Sequence, residues 1–218
     1  MVHRFYSKTN KEQRYIQLTI VLSIAIVLLL SVLLSWITKL YFIAFIMLAV
    51  TLSVAASFFD VPSLYKSGKL RYHSLLLLSE APKDGLIKVH GGTLFDYVFV
   101  LDKNMNGNER IRFILKQYIE GLITLIEEYE NNSDNMIIQG TSYIINARTA
   151  KRIGFNIVKT DVLQKLILVF NYINITITYS FAKGRLSFPN ISETRTFETT
   201  LHKLKMQKYY LKELSMRL

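Results

Sequence analysis

The chain has 218 residues with 27 Lys or Arg against 16 Asp or Glu, a formal net charge of +11, and no cysteine. The missing cysteines exclude a disulfide framework and thiol chemistry and fit a reducing compartment. The basic excess points to nucleic acid or to an anionic membrane surface. No zinc-finger spacing, helix-turn-helix pattern or RNA-binding aromatic signature supports the first.

The first elements decide between those partners. Residues Ile16 to Ile37 carry no charge, nor do Leu40 to Phe59, and only Thr38-Lys39 separates them. At ~1.5 Å of rise per residue, each stretch matches a hydrocarbon core ~30 Å thick. The pattern predicts a two-helix transmembrane hairpin (residues 15–59, spans at about 16–37 and 40–59). A secretory signal is excluded by length and by Trp36-Ile37-Thr38, which is no small-residue cleavage site. The expected lipid-headgroup contacts are Arg4, Lys8, Lys11 and Arg14 in a basic tail (residues 1–14), and Lys66, Lys69 and Arg71 after the second span. The turn has only Lys39, so the positive-inside rule places the N-terminus and residues 66–218 in the cytoplasm of a multi-pass cell-membrane protein. Trp36, Tyr41 and Phe42 mark one interface, Tyr15 and Tyr65 the other.

Small residues recur along both spans. Ser23, Val27, Ser31 and Ser35 repeat every fourth position on the first, Ala49, Ser53 and Ser57 on the second. Such stripes let helices approach closely, within the hairpin or between copies of it. No ionisable group lies inside either span, which argues against an ion or proton pathway.

Asp60-Val61-Pro62-Ser63 is expected to break the second helix, and a soluble α+β domain to begin near Lys69 and fold in water on its own. Its first part reads as a three-stranded antiparallel meander: Leu70 to Leu78, Leu86 to Val89 after the turn at Pro82 and Asp84-Gly85, and Thr93 to Leu101 after a Gly91-Gly92 hairpin turn. A long amphipathic helix covers it. Asn106 and Glu109 start it in capping-box fashion, and Ile111, Ile114, Leu115, Tyr118, Leu122, Leu125, Ile126 and Tyr129 line one face. Glu127, Glu128 and Glu130 oppose its dipole.

Further on, Met136 to Ile145 reads as a strand. A short helix follows from Ala147 to Ile153, capped by Asn146 and Gly154, and then a strand from Phe155 to Val158. Thr160 or Asp161 caps a helix through Phe170, and Ile173, Ile175, Ile177 and Tyr179 alternate as in a strand. Val162 to Phe181 is also apolar enough to be weighed as a third span. Glu198 to Leu218 reads as a helix with a basic face (Lys203, Lys205, Lys208, Lys212, Arg217) and a leucine stripe, suited to a membrane surface or to its own domain. Three glycosylation sequons, starting at Asn131, Asn174 and Asn190, are inert if cytoplasmic.

Candidate chemistry is sparse. Asp96 would share a strand face with Leu94, Val98 and Val100 and would need a partner there, for which His73 is the candidate. His90 precedes a glycine pair, but no G-x-S-x-G elbow accompanies it. The histidines lack metal-ligand spacing, and no phosphate-binding loop or cofactor motif occurs. The sequence therefore favours a membrane-anchored binding or scaffold module, partnered by anionic lipid and by a second copy or another membrane protein, with no nucleic acid. An enzyme of lipid or lipid-linked substrates, using Asp96 with His73 or His90, and an oligomerising two-span effector are the alternatives.

Overall fold

The computed structural model describes residues 2–131, 135–142, 145 and 147–218. It contains an apolar helical hairpin and a mixed six-stranded sheet carrying helices. The hairpin pairs α1 (Asn10–Thr38) with α2 (Phe42–Lys66), both long and apolar enough to cross a membrane. Thr9 and Glu12 form a capping box at the start of α1. Ser31 and Ser35 of α1 and Ala55 of α2 are buried, and the Ser35 hydroxyl donates to the Leu40 carbonyl, tying the turn.

The helix does not break at Pro62. α2 continues to Lys66 with the proline inside it. A proline there removes a backbone hydrogen bond at a cost of about 3 kcal/mol. The compensation is packing: Val61 joins Phe5, Leu78 and Phe95 in a small core, and burial of each such side chain contributes ~1.5–3 kcal/mol.

The sheet order is β1 (Leu70–Tyr72), β2 (Leu77–Glu80), β3 (Leu86–Gly91), β4 (Ile137–Ser142), β6 (Arg195–Thr200), β5 (Asn156–Val158). The first three strands do form an antiparallel meander, with different members from those expected. The Leu70 to Leu78 run folds back on itself as β1 and β2. The β2–β3 turn is Asp84-Gly85, with φ values of 51° and 76° that suit a two-residue hairpin. Thr93 to Leu101, expected as the third strand, is instead helix α3 (Leu94–Val100). The run is apolar on both alternating faces, so period two carried no information there. The Thr93-to-Asp96 spacing of a helix start decided it, with the Asp96 carboxyl accepting from the Thr93 N–H. Gly91-Gly92 is no hairpin turn either. Gly91 ends β3 where a Cβ would meet the Tyr118 hydroxyl at 2.3 Å.

Helix α4 (Gly107–Glu128) has the expected Asn106/Glu109 capping box and buries Ile114, Tyr118, Ile119, Leu122, Leu125 and Ile126 against the sheet. β4 runs parallel to β3, which makes the sheet mixed. Helix α5 (Ala147–Arg152) follows; its expected cap, Asn146, and Asn132-Ser133 of the first sequon lie outside the described residues. Asp161 caps α6 (Val162–Phe170), its Oδ1 accepting from the Val162 N–H. The alternating segment after it is not a strand but helix α7 (Tyr172–Lys183). Its β-branched residues favour a strand, and tertiary contact overrides that preference: Asn174 Nδ2 donates to the Ser53 carbonyl of α2, while within the helix Thr178 Oγ1 donates back to the Asn174 carbonyl. The expected final helix starts later, because Glu198 to Thr200 belong to β6, flanked by β4 and β5. The rest forms α8 (Leu201–Met206) and α9 (Lys208–Arg217), whose Leu204 and Leu211 are fully buried in the domain core. Lys208 and Lys212 lie 3.2 and 3.8 Å from Glu127, and Lys205 donates to the Glu130 carbonyl. The basic face of α9 thus meets the acidic end of α4.

The expected domain boundary near Lys69 cuts through the small core. Phe5 from the N-terminal segment and Val61 from α2 pack with Leu78 and Phe95 of the sheet and α3. Phe5→Ala should therefore lower stability by about 3–5 kcal/mol, read by chemical or thermal unfolding of the full chain in detergent. A change within about 0.5 kcal/mol would show that the segment is a free tail.

Candidate functional site

A cavity of about 710 Å³ opens at the junction of hairpin and sheet, lined by His3, Tyr6, Tyr65, Tyr72, His73 and Lys116 among others. Three segments far apart in sequence build it. The N-terminal segment lies against α3, where the Arg4 guanidinium donates at 2.8 Å to the carbonyls of Val98 and Leu101 and closes the helix end. The sharp bend from β1 to β2 brings in His73, Ser74 and Leu75, held by α4: Ser74 Oγ donates to the Gln117 carbonyl, and the Gln117 side chain accepts from the Leu75 N–H. One face of α4 supplies the far wall.

Behind the cavity sits Asp96, fully buried. One carboxyl oxygen accepts from the Thr93 N–H at 2.7 Å and its hydroxyl at 2.8 Å. The other accepts from the Tyr72 hydroxyl at 2.5 Å, with His3 Nε2 at 3.3 Å. Burial pushes the Tyr72 hydroxyl far above the usual phenol range, and the nearby Asp96 charge adds to that. Tyr6 is raised by its own burial, partly offset by the neighbouring Tyr72 hydroxyl. Tyr118 is pushed up to about 12 by burial. All three phenols stay protonated donors at neutral pH. His3 also stacks on Phe95 at 5.2 Å between ring centres, inside an aromatic cluster with Tyr6, Phe5 and Phe99.

The expected partner of Asp96 was His73; the structure supplies His3. His73 turns to Ser79, 2.8 Å from its Nε2, and to Glu128, 3.0 Å from its Nδ1. Burial holds the His73 pKa below the usual imidazole value, against the pull of Glu128, with Arg71 adding to the depression. His90 lies on the exposed hairpin, 2.9 Å from Glu80 and away from the cavity lining. Among the headgroup candidates, Arg4 is engaged with α3 and Arg71 lies 3.6 Å from Glu128, whereas Lys8, Lys11, Arg14, Lys66 and Lys69 are exposed. Of the small-residue stripes, Ser31 and Ser35 are buried and Ser53 and Ser57 half-buried, while Ser23 and Ala49 are exposed. Among the described residues no group of three His, Cys, Asp or Glu side chains could hold a metal ion.

His3 had no sequence signal: it lies 93 residues from Asp96, and only the fold brings them together. The Thr93-to-Asp96 cap was legible and would have turned the strand into a helix. The comparisons with family models, curated proteins and solved structures return no match.

The chemistry of this arrangement is anchorage with polar donors at the cavity wall. A histidine oriented by a carboxylate is half of a nucleophile-activating set. The serine lining the cavity, Ser74, spends its hydroxyl on Gln117 and accepts from the Leu76 and Leu77 N–H groups. Asp96→Asn would turn an amide N–H toward existing donors, so it should cost about 1–3 kcal/mol of stability. Unfolding of the variant measures this, and an unchanged midpoint would remove Asp96 from the framework.

Proposed function

We propose that the protein is a two-pass membrane protein that holds a cytoplasmic α+β binding module rigidly against the bilayer surface, with the junction cavity as its recognition site. The carrying observation is the shared core: Phe5, Val61, Leu78 and Phe95 weld the segment before α1 and the end of α2 to the sheet. A module so mounted keeps a fixed distance and orientation to the lipid surface. The cavity size falls in the range of small-molecule pockets, and its wall mixes aromatic faces with phenol and imidazole donors. Exposed Lys8, Lys11, Arg14, Lys66 and Lys69 lie near the hairpin's open end, where each cation near an anionic leaflet contributes about 1 kcal/mol. The same cations support the cytoplasmic orientation.

The His3–Asp96 pair favours a second reading, an enzyme of lipid or lipid-linked substrates, with the substrate supplying the reacting hydroxyl or water. A folded, equally stable Asp96→Asn variant that loses the cellular phenotype would put that reading first.

Reporter fusions at Leu218 test the orientation: a cytoplasmic reporter should be active, and an active alkaline-phosphatase fusion would overturn it. Native mass spectrometry of the protein released from native-lipid nanodiscs tests the cavity. A bound small molecule should be present in the natural chain and lost in Thr124→Trp, which fills the lining. A chain that carries no bound mass beyond lipids shared with the variant counts against the recognition site.

A further inference from the structure

Helices α6 and α7 form a bent pair whose apolar side is uncovered. Val162, Leu163, Leu166, Val169 and Phe170 are half or more exposed, with Phe170 at 80%. From Leu166 to Ala182 there is no Asp, Glu, Lys or Arg, and Lys165 and Lys183 bound the stretch. Patches of this kind on a soluble surface mark a missing partner.

Topology narrows the choice. The chain leaves β5 for α6 and comes back after α7 to β6, and β5 and β6 are adjacent antiparallel strands of one sheet. Both ends of the pair are therefore on the side of the sheet, so the pair is not a third span. It bends by 71° at the break at Asn171. α7 connects the domain to the hairpin. At its C-terminal end Gly107 abuts the Lys183 carbonyl, and Arg110 donates to the Phe181 carbonyl. At its N-terminal end Asn174 Nδ2 donates to the Ser53 carbonyl at 2.9 Å and lies 3.0 Å from its hydroxyl. Ser53 lies about 9 Å along α2 from Phe59, the expected span end, at ~1.5 Å of rise per residue. The polar side chains Asn174 and Thr178 face protein, while Ile173 and Phe170 face outward. That inverts the usual water-soluble arrangement and continues the exposed apolar surface of the spans.

We propose that α6 and α7 form a re-entrant wedge that inserts its tip, Phe170 to Ile173, into the hydrocarbon of the leaflet nearest the sheet. The occupant of the apolar face is lipid acyl chain, the same bilayer the hairpin crosses. Lys165 and Lys183 snorkel to the headgroups from either end. The wedge explains why residues with strand propensity form a helix here: in lipid every backbone group must be satisfied within the segment. The proposal rests on the two-pass reading.

The test uses the full chain in vesicles of phosphatidylcholine and phosphatidylglycerol, with and without bromine along the acyl chains. Trp36 is the sole tryptophan, so Trp36→Phe gives a silent background. In that background Phe170→Trp should emit at short wavelength, lose emission to brominated lipid and resist iodide. Leu30→Trp, within α1, should do the same and reports on the hairpin; Tyr209→Trp, on exposed α9, should be quenched by iodide. Quenching of the Leu30 probe but not the Phe170 probe by brominated lipid overturns the wedge alone. That holds whether iodide reaches Phe170→Trp, as in water, or fails to, as under a second copy. A Leu30 probe that ignores brominated lipid overturns the two-pass reading and the wedge with it. If Phe170→Trp misfolds, Val169→Cys in this cysteine-free chain, labelled with a polarity-sensitive fluorophore, reads the same contrast.

Discussion

The buried carboxyl of Asp96 is the constraint on which the junction depends. A carboxyl group with no solvent exposure is costly unless its oxygens are satisfied. Its partners come from three segments: His3 before the hairpin, Tyr72 on β1, and Thr93 at the start of α3. None of the three alone could hold it. The group therefore acts as a polar pin through an otherwise aromatic core, and it sets where the N-terminal segment, the sheet edge and the hairpin end meet. Arg4 works beside it by satisfying the far end of α3, so one short helix is capped by its own Asp96 at the start and by a group from the N-terminal segment at the end.

The cavity is polar on both sides, with Tyr72 and His3 beside the pin facing Lys116, Gln117 and Glu120 of α4. Its phenols Tyr6 and Tyr72 are raised by burial and kept protonated, so they add no charge to the wall. The acidic end of α4 gains a role in the same frame. Glu127 meets Lys208 and Lys212, and Glu128 lies between Arg71 and His73. A cluster that opposes the helix dipole is offset by the cations and imidazole that other elements bring to it. The basic stripe of the last helix is thereby in part an internal complement to α4, through Lys208 and Lys212.

The helix α7 connects the domain to the middle of the second apolar helix through Asn174 and Ser53. Ser53 belongs to a stripe that reads as helix-packing within the hairpin or between copies. Part of that stripe is occupied within the chain by α7, so close packing there joins hairpin to domain.

The sequence alone determined the elements whose signal is local. Two uncharged runs set the hairpin, Asp84-Gly85 set a turn, and Asn106 with Glu109 and a periodic apolar face set α4, because length, cap and period need no distant partner. Tertiary structure decided the rest. Thr93 to Leu101 and Ile173 to Tyr179 are apolar or alternating enough for either conformation, and a cap in one case and a contact with α2 in the other chose the helix. Pro62 stayed inside α2 because Val61 is buried against Phe5, Leu78 and Phe95. The polar strand β6 exists because its backbone is paired on both sides, by β4 and β5. His3 joined Asp96 across 93 residues of chain, a proximity that no spacing rule carries and only a folded core creates.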